Sequence, residues 1–347
     1  MAGSIALVPE LPDIALYLEA LDARVRGERL EGVRVSGPSW LRTVEPPLAS
    51  ALGRRVAALR RVGKRVVFEL EGDEPDAPLF LVLHLMIAGR LHWRPLRPGA
   101  RPPAVPARRG LGALDFGAGT LLVTEASPRK RATLHLVQGE AGLAALDPGG
   151  LEPLEADLDA FAARLRARNH TLKRALTDPH LLAGIGNAYS DEILHRARSS
   201  PFKQTGRLDD EELVRLYAAT RAVLEEWRQR LIAEWRASGS PFPERVTAFR
   251  PGMAVHGRRG QPCPACGAPV QRIAYAENEA HYCARCQTGG RLLADRALSR
   301  LLRADWPRTL DELEQRRPAA VVRPDAPGRP DASSGRSRPR RSAPSTG

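Results

Sequence analysis

Cys263-Pro-Ala-Cys266 and Cys283-Ala-Arg-Cys286 hold all four cysteines of this 347-residue chain. Sixteen residues separate the two pairs, a spacing that fits one tetrahedral Zn²⁺ held by Cys263, Cys266, Cys283 and Cys286. Each pair offers two thiolates from a tight knuckle, and Gly267 follows the first pair. Four thiolates close the coordination shell, so the ion is expected to be structural, with no position open to a substrate. Two disulfides or four unrelated thiols account for the spacing less well. His281 reads as a packing or surface histidine rather than a fifth ligand. Arg250, Arg258, Arg259, Arg272, Arg285 and Arg291 surround the segment. A metal-stiffened hairpin lined with arginine suits a phosphate backbone, and a solvated basic face is the alternative.

The rest of the chain weighs towards the phosphate. Net charge is +13, which favours a polyanionic partner, most simply nucleic acid. Hydrophobic residues make up 43% of the chain, enough for a proper core. The length points to two or three domains. No apolar run reaches membrane-spanning length, Met1–Val8 is too short and uncharged for a signal peptide, and cysteines confined to metal spacing fit a reducing cytoplasm.

Towards the N-terminus, Pro9-Glu10-Leu11-Pro12-Asp13 precedes Ile14, Leu16, Leu18, Leu21 and Val25, an amphipathic helix with proline in its first turn and Gly27 or Gly32 beyond its end. Residues 33–137 carry short β-like runs at Val33–Val35, Val56–Leu59, Val66–Leu70, Leu79–Leu85, Leu121–Thr124 and Leu134–Val137, separated by Gly- and Pro-rich turns, notably Pro95–Gly112. A β-sandwich or barrel follows. Two basic loops lie within it, Arg60–Arg65 and Ser127–Arg131.

Residues 147–153 read as a linker, after which helices dominate. Leu158, Phe161 and Leu165, then Leu172 and Leu176, mark two of them. Leu182-Ala-Gly-Ile-Gly-Asn187 leads into a helix over Ala188–Arg198. Asn187 is suited to its N-cap, and amides exposed behind two glycines make a ready anion site. Asp209-x-x-Glu212 opens a long helix to about Trp235 as a capping box. After the cysteines, Leu292–Leu302 and Leu310–Leu313 read as short helices. From Pro318 the chain has almost nothing to bury and reads as a disordered basic tail.

In this order the motifs resemble the formamidopyrimidine-DNA glycosylase and endonuclease VIII family of DNA repair enzymes. The resemblance covers about residues 9–288 and rests on PELPD, the isolated Lys64 in the β-rich part, GIGNAYSDEIL and the four cysteines. It implies an α+β chain: a β-sandwich with an N-terminal helix (9–146), a helix–two-turn–helix domain (152–247) and a zinc finger (248–288), followed by a helical extension (289–317) and the tail (318–347). It implies a base-excision glycosylase that removes an oxidised base and cuts the abasic strand, hydrolase and lyase in one. The expected partner is damaged or abasic double-stranded DNA, and the expected protein is a cytoplasmic, nucleoid-associated bacterial monomer. The family's nucleophile is an N-terminal proline amine. A secondary amine attacking the anomeric carbon gives an iminium ion that keeps its charge without a proton and serves as electron sink. An α-amine is partly neutral at physiological pH, and a neighbouring carboxylate can protonate the departing sugar oxygen. The resemblance thus assigns Pro9 as nucleophile, Glu10 as general acid/base, Lys64 as a phosphate contact near the lesion, Lys173 and Asn187 as phosphate contacts, and Met86 and Arg129 as further DNA-binding residues.

The chain departs from the family's pattern in five places. Val8 precedes Pro9, and an amide nitrogen is no nucleophile; initiation at a GTG codon for Val8, with methionine trimming, is expected to place Pro9 at the native N-terminus. The family's HLGMSG reads His84-Leu-Met86-Ile87-Ala-Gly89 here, with Met86 one place early and Ile87 in the methionine slot. DPRRFG reads Ser127-Pro-Arg129-Lys-Arg131-Ala132, keeping Arg129 and replacing the aromatic wedge that base flipping uses. Asn278 aligns with the finger's phosphate-clamping arginine, and Asp13 replaces a glutamate. These departures support the alternative, a non-catalytic damaged-DNA-binding protein on the same scaffold; an RNA-associated zinc ribbon is less compatible with the β-rich part.

Overall fold

The computed structural model describes residues 8–37, 39–72, 77–244, 246, 250–275, 278–294 and 307–316. The expected tail, and most of the expected helix Leu292–Leu302, lie outside the described residues.

Helix α1 (Leu11–Val25) starts with Pro12 in its first turn and buries Leu11, Ile14, Tyr17, Ala20, Leu21 and Val25, a stripe at helical spacing. Two four-stranded antiparallel sheets follow. One has the order β1 (Leu30–Val35), β6 (Gly110–Phe116), β7 (Gly119–Glu125), β5 (Gly89–Pro95); the other has β2 (Arg55–Val62), β3 (Arg65–Glu71), β4 (Leu79–His84), β8 (Thr133–Gln138). The inner faces meet through Phe68, Leu81, Leu91, Leu114 and Val123, all in one apolar core. This is the expected sandwich.

The periodicity of the sequence misses β5 and β6. Glycine in a strand ordinarily weakens it, and Gly110-Leu-Gly112 reads as a turn. At Gly112 the absent Cβ is what the packing needs: a methyl there would strike the buried indole of Trp40 and the Arg34 carbonyl.

Helix α2 (Gly139–Ala144) closes the sandwich, and the helical half comprises α3 (Leu158–Arg166), α4 (Leu172–Thr177), α5 (Asn187–Arg196) and α6 (Asp210–Ala237). The capping box of α6 is formed: Glu212 N donates to Asp209 Oδ1 at 2.8 Å and Asp209 N to Glu212 Oε2 at 3.2 Å. The apolar core runs without a break from α1 and the sheets into α5 and α6. A second core belongs to the cysteine segment, where β9 (Val270–Tyr275) and β10 (Asn278–Cys283) form a hairpin followed by α7 (Ala284–Thr288). Leu292, Leu293 and Leu310 complete that second core. Residues 292–294 are not helical; Leu292 N donates to the Arg308 carbonyl and Leu293 N to the Tyr282 hydroxyl. The helix expected at Leu310–Leu313 is present as Leu310–Gln315.

Candidate active site

Helix α5 organises the site along its length. Its N-cap is Gly186, and Asn187 is the first helical residue, so the expected Asn187 cap is corrected. A carboxylate from far away in sequence does that work. Glu10, 1% exposed, accepts from Gly186 N at 2.6 Å, Ala188 N at 2.9 Å and Tyr189 N at 3.2 Å. The anion site expected here is therefore real but filled from within, because a buried carboxylate is best matched by free amides at the positive end of a helix. Glycine is required at 186: an added Cβ would lie 2.6 Å from both Glu10 Oε1 and Lys64 Nζ. Across that glycine the structure brings together Glu10 and Lys64. Burial lowers the Lys64 pKa, with Lys173 adding to the shift and Glu10 and Asp13 opposing it.

The turn that carries Glu10 is fixed on both sides. Leu11 N donates to the Gly184 carbonyl at 2.9 Å, and Glu10 N to Asp13 Oδ2 at 2.9 Å. Pro9, buried, is the residue next to this cradle. Glu10 Oε1 accepts one of the three amide bonds and Oε2 two, which leaves Oε1 acceptor capacity for a further partner.

Lys64 sits with Gly63 in the two-residue turn between β2 and β3. The register Arg65↔His84↔Thr133 places the turn after β4 and the loop before β8 at the same end of the sandwich. Ala126 N donates to the Ala88 carbonyl, joining those two loops. That end therefore carries Lys64, Met86, Ile87, Arg129 and Arg131. Met86 has φ 49, a left-handed backbone that glycine adopts freely and methionine does not. It occupies the glycine place of the HLGMSG pattern, so the turn is in register and Ile87, not Met86, stands in the methionine slot. The Arg129 and Arg131 side chains are exposed. Their loop is pinned from beneath by Glu125, fully buried, which accepts from the Arg131 and Ala132 amides.

Charge at this end is unbalanced. Arg60 and Arg61 are paired with Glu69, Glu140 and Glu152, whereas Arg65 and Arg129 have no ion pair among the described residues. Burial, then Arg65, Lys64 and His135, push the His84 pKa down to about 3. An anion bound here would relieve that repulsion.

Lys173 departs from its expected role as a phosphate contact. It is 1% exposed, and its ammonium donates to the Asn187 carbonyl at 2.7 Å, Ser190 Oγ at 2.8 Å and Asp191 Oδ1 at 2.6 Å. A lysine on the first turn of α4 at an apolar position cannot reach solvent, so its charge is neutralised inside. Asn187 is half-buried, and its side-chain amide has no hydrogen bond among the described residues.

Sequence reading missed the rest of α5. Asp191 Oδ2 accepts from His256 at 2.8 Å and lies 3.4 Å from His281. Burial pushes the Asp191 carboxyl up, but Lys173 and the two histidines overrule it and hold the group well below the usual carboxylate range. Glu192 accepts from the amides of Ala254, Val255 and His256. His195 Nε2 lies 3.2 Å from Cys263 Sγ. The spacing of Asp191, Glu192 and His195 carries no recognisable signal, since Cys263, His256 and the amides of Ala254, Val255 and His256 that they meet lie more than sixty residues away.

The four Cys Sγ atoms lie within 4.8 Å of one another, with 3.9 Å for Cys263–Cys286 and 3.4 Å for Cys266–Cys283. A tetrahedron of Zn–S bonds of ~2.3 Å has edges of ~3.8 Å, so the donor set fits one zinc. Burial and then neighbouring sulfurs raise the Cys283 thiol to about 11 and Cys286 higher still, whereas the Ala268 amide and neighbouring sulfurs lower Cys266 despite its burial; a divalent cation would hold all of the set as thiolates. His281, tied to Asp191, is not a ligand. Among the finger's arginines, Arg272 is paired with Glu279, Arg258 donates to the Met253, Ala254 and Pro262 carbonyls, and Arg250 is paired with Asp13. Arg259, Arg285 and Arg291 are exposed. The Asn278 side chain lies outside the described residues.

Comparison with known proteins places these features in context. Residues 8–139 match the formamidopyrimidine-DNA glycosylase N-terminal domain, residues 150–229 the formamidopyrimidine-DNA glycosylase H2TH domain, and residues 260–289 the zinc finger found in FPG and IleRS. The formamidopyrimidine-DNA glycosylase of Heliobacterium modesticaldum is 36% identical over 293 residues, 81% of this chain and 100% of its own length. The crystal structure of the MutM (Fpg) protein of Thermus thermophilus superposes with a TM-score of 0.65 at 33% identity, covering 80% of this chain and 98% of that one. A complex of Lactococcus lactis Fpg with abasic-site DNA gives a TM-score of 0.67 at 26% identity, covering 80% and 99%.

Proposed function

This chain belongs to the formamidopyrimidine-DNA glycosylase family, and on that premise we propose that Pro9, Glu10 and Lys64 are the reacting groups of a glycosylase that also cuts abasic strands. The protein is a base-excision-repair DNA glycosylase with one structural zinc. The observation that carries the assignment of residues is the Glu10 carboxylate, cradled by three amides of α5 beside Lys64 and directly after Pro9. The proline nitrogen, freed as an amine, forms a bond to C1′ of the sugar as the C1′–N bond to the damaged base breaks (at an abasic site, the C1′–OH bond, with water leaving). The departing group takes up a proton and the attached amine gives up its own, so that its lone pair can open the ring. The C1′–O4′ bond opens with a proton delivered through Glu10, and the resulting iminium draws off the electrons of a C2′–H bond as the 3′ phosphate leaves. Lys64, in no ion pair among the described residues, suits a phosphate beside the lesion.

The substrate is duplex DNA with a damaged base or an abasic site, as named for the relatives, read by a monomer in the reducing cytoplasm. Arg129 and Ile87 enter the duplex where the base leaves it, and Asn187 contacts the backbone. This chemistry needs Pro9 at the N-terminus, and the family match itself begins at residue 8.

Borohydride trapping on abasic duplex tests the reading with protein made to begin at Pro9. A covalent crosslink is expected, and its loss in Pro9→Gly assigns the amine. Tight binding with no crosslink would overturn the catalytic assignment in favour of a DNA-binding role.

A further inference from the structure

Arg250 lies between the helical domain and the finger, outside all three matched segments, which end at 229 and resume at 260. It nevertheless reaches the start of the chain. Its Nη2 donates to Asp13 Oδ1 at 3.2 Å, and the pair is buried, with side-chain exposures of 15% and 0%. The other Asp13 oxygen, Oδ2, accepts from Glu10 N. One carboxylate thus ties a guanidinium from residue 250 to the peptide that joins Pro9 to Glu10. The Arg250 Nε and the Tyr189 hydroxyl, both buried, have no hydrogen-bond partner among the described residues. The Asp13 ion pair is therefore the contact that anchors Arg250.

We propose that Arg250 is a positioning residue for the reaction, acting through Asp13 to fix the Pro9–Glu10 turn over the N-terminus of α5. The proposal rests on the catalytic reading above. The shorter Asp13 takes both partners at once: one oxygen caps α1 and the other receives the arginine. Losing the arginine leaves a buried carboxylate without its counter-charge. The groups facing Asp13 are Glu10 and Tyr17 from α1, Lys64 from the β2–β3 turn, Tyr189 from α5, and Arg250 itself. Burial raises the Asp13 pKa, Glu10 adds to that rise, and Arg250 is the cation that counters it. Removing Arg250 raises the pKa further, so the carboxylate that holds Glu10 N is lost at a higher pH as the solution is acidified.

The test uses the chain beginning at Pro9, with Arg250→Met, Arg250→Lys, Asp13→Asn and the double variant Asp13→Asn/Arg250→Met. Single-turnover cleavage of abasic duplex and affinity for duplex carrying a tetrahydrofuran abasic analogue are measured across pH. Arg250→Met is expected to lower the saturating rate about tenfold and move the acidic limb to higher pH, with affinity held within about twofold. Arg250→Lys should recover most of the rate, and Arg250→Met should add little in an Asp13→Asn background. An unchanged rate and pH profile would overturn the proposal. So would weaker binding with a salt slope reduced by about one, the mark of a phosphate contact. If the unmodified chain gives no borohydride crosslink, it is the catalytic reading that fails. NMR titration of the Asp13 carboxyl then decides the Arg250 link by itself: an upward shift in Arg250→Met supports it, and no shift overturns it.

Discussion

Glu10 and Glu192 are both glutamates held by three backbone amides, and α5 takes part in both arrangements. Glu10 comes from the chain start and is received by the amides of α5; Glu192 projects from α5 and receives the amides of Ala254, Val255 and His256. Both are nearly buried, at 1% and 6% exposure. The difference lies in the neighbours. Beside Glu10 stand Lys64 and Pro9, at the end of the sandwich that carries Arg65 and Arg129, which have no ion pair among the described residues. Beside Glu192 stand Asp191 and its lysine and two histidines, closed off from solvent. A cradled carboxylate is thus a joint in one place and a candidate reagent in the other, and its surroundings decide which.

The sharpest break of this comparison is Glu10→Gln in protein beginning at Pro9. Loss of a positioned acid/base group is expected to slow abasic-strand cleavage by roughly 10²–10⁴-fold, while duplex affinity is retained; a rate within severalfold of the unsubstituted protein would make Glu10 a joint like Glu192. Next in size is Asp191→Ala. It leaves the Lys173 ammonium buried without its partner and should lower stability by about 3–5 kcal/mol, read by denaturant unfolding. The pH dependence of the Asp191 joint has a definite sign. The folded carboxyl is held below its unfolded value, so its stabilisation is full above the ordinary carboxylate pKa and disappears only as pH falls through the depressed one. Smallest is Glu192→Gln, which keeps one acceptor oxygen for the amides. It should cost about 1–3 kcal/mol at the finger junction and leave the cleavage rate per folded molecule unchanged, checked by melting and single-turnover assay side by side. A hundredfold rate loss there would erase the distinction between the two cradles.

Much of this was legible beforehand because its signals are local. The cysteine spacing, the capping box of α6, the apolar stripe of α1 and the short apolar runs of β2, β3, β4, β7 and β8 each follow from residues within a few positions of one another. Strands β5 and β6 were not legible; in β6, Gly110 and Gly112 read as turn residues until Trp40 is placed against Gly112. Lys173 looked like an exposed phosphate ligand because its sequence neighbours do not reveal Asp191 beneath it. The Asn187 cap failed for a similar reason: a better acceptor arrives from position 10.

The sequence by itself determined most of the elements, the metal ligands and, through PELPD, GIGNAYSDEIL and the cysteines, the family to which the chain belongs. Only the tertiary structure decided which charged groups are spent inside and which face a partner. Lys64 and Lys173 are both single lysines in the right motifs, yet one lies beside Glu10 at an end of the sandwich short of acids and the other is neutralised in the core. Arg250 and Asp13 are 237 residues apart and meet because the segment before the finger returns to the chain start. A buried charge must find its counterpart wherever folding brings one, and no spacing along the chain records that pairing.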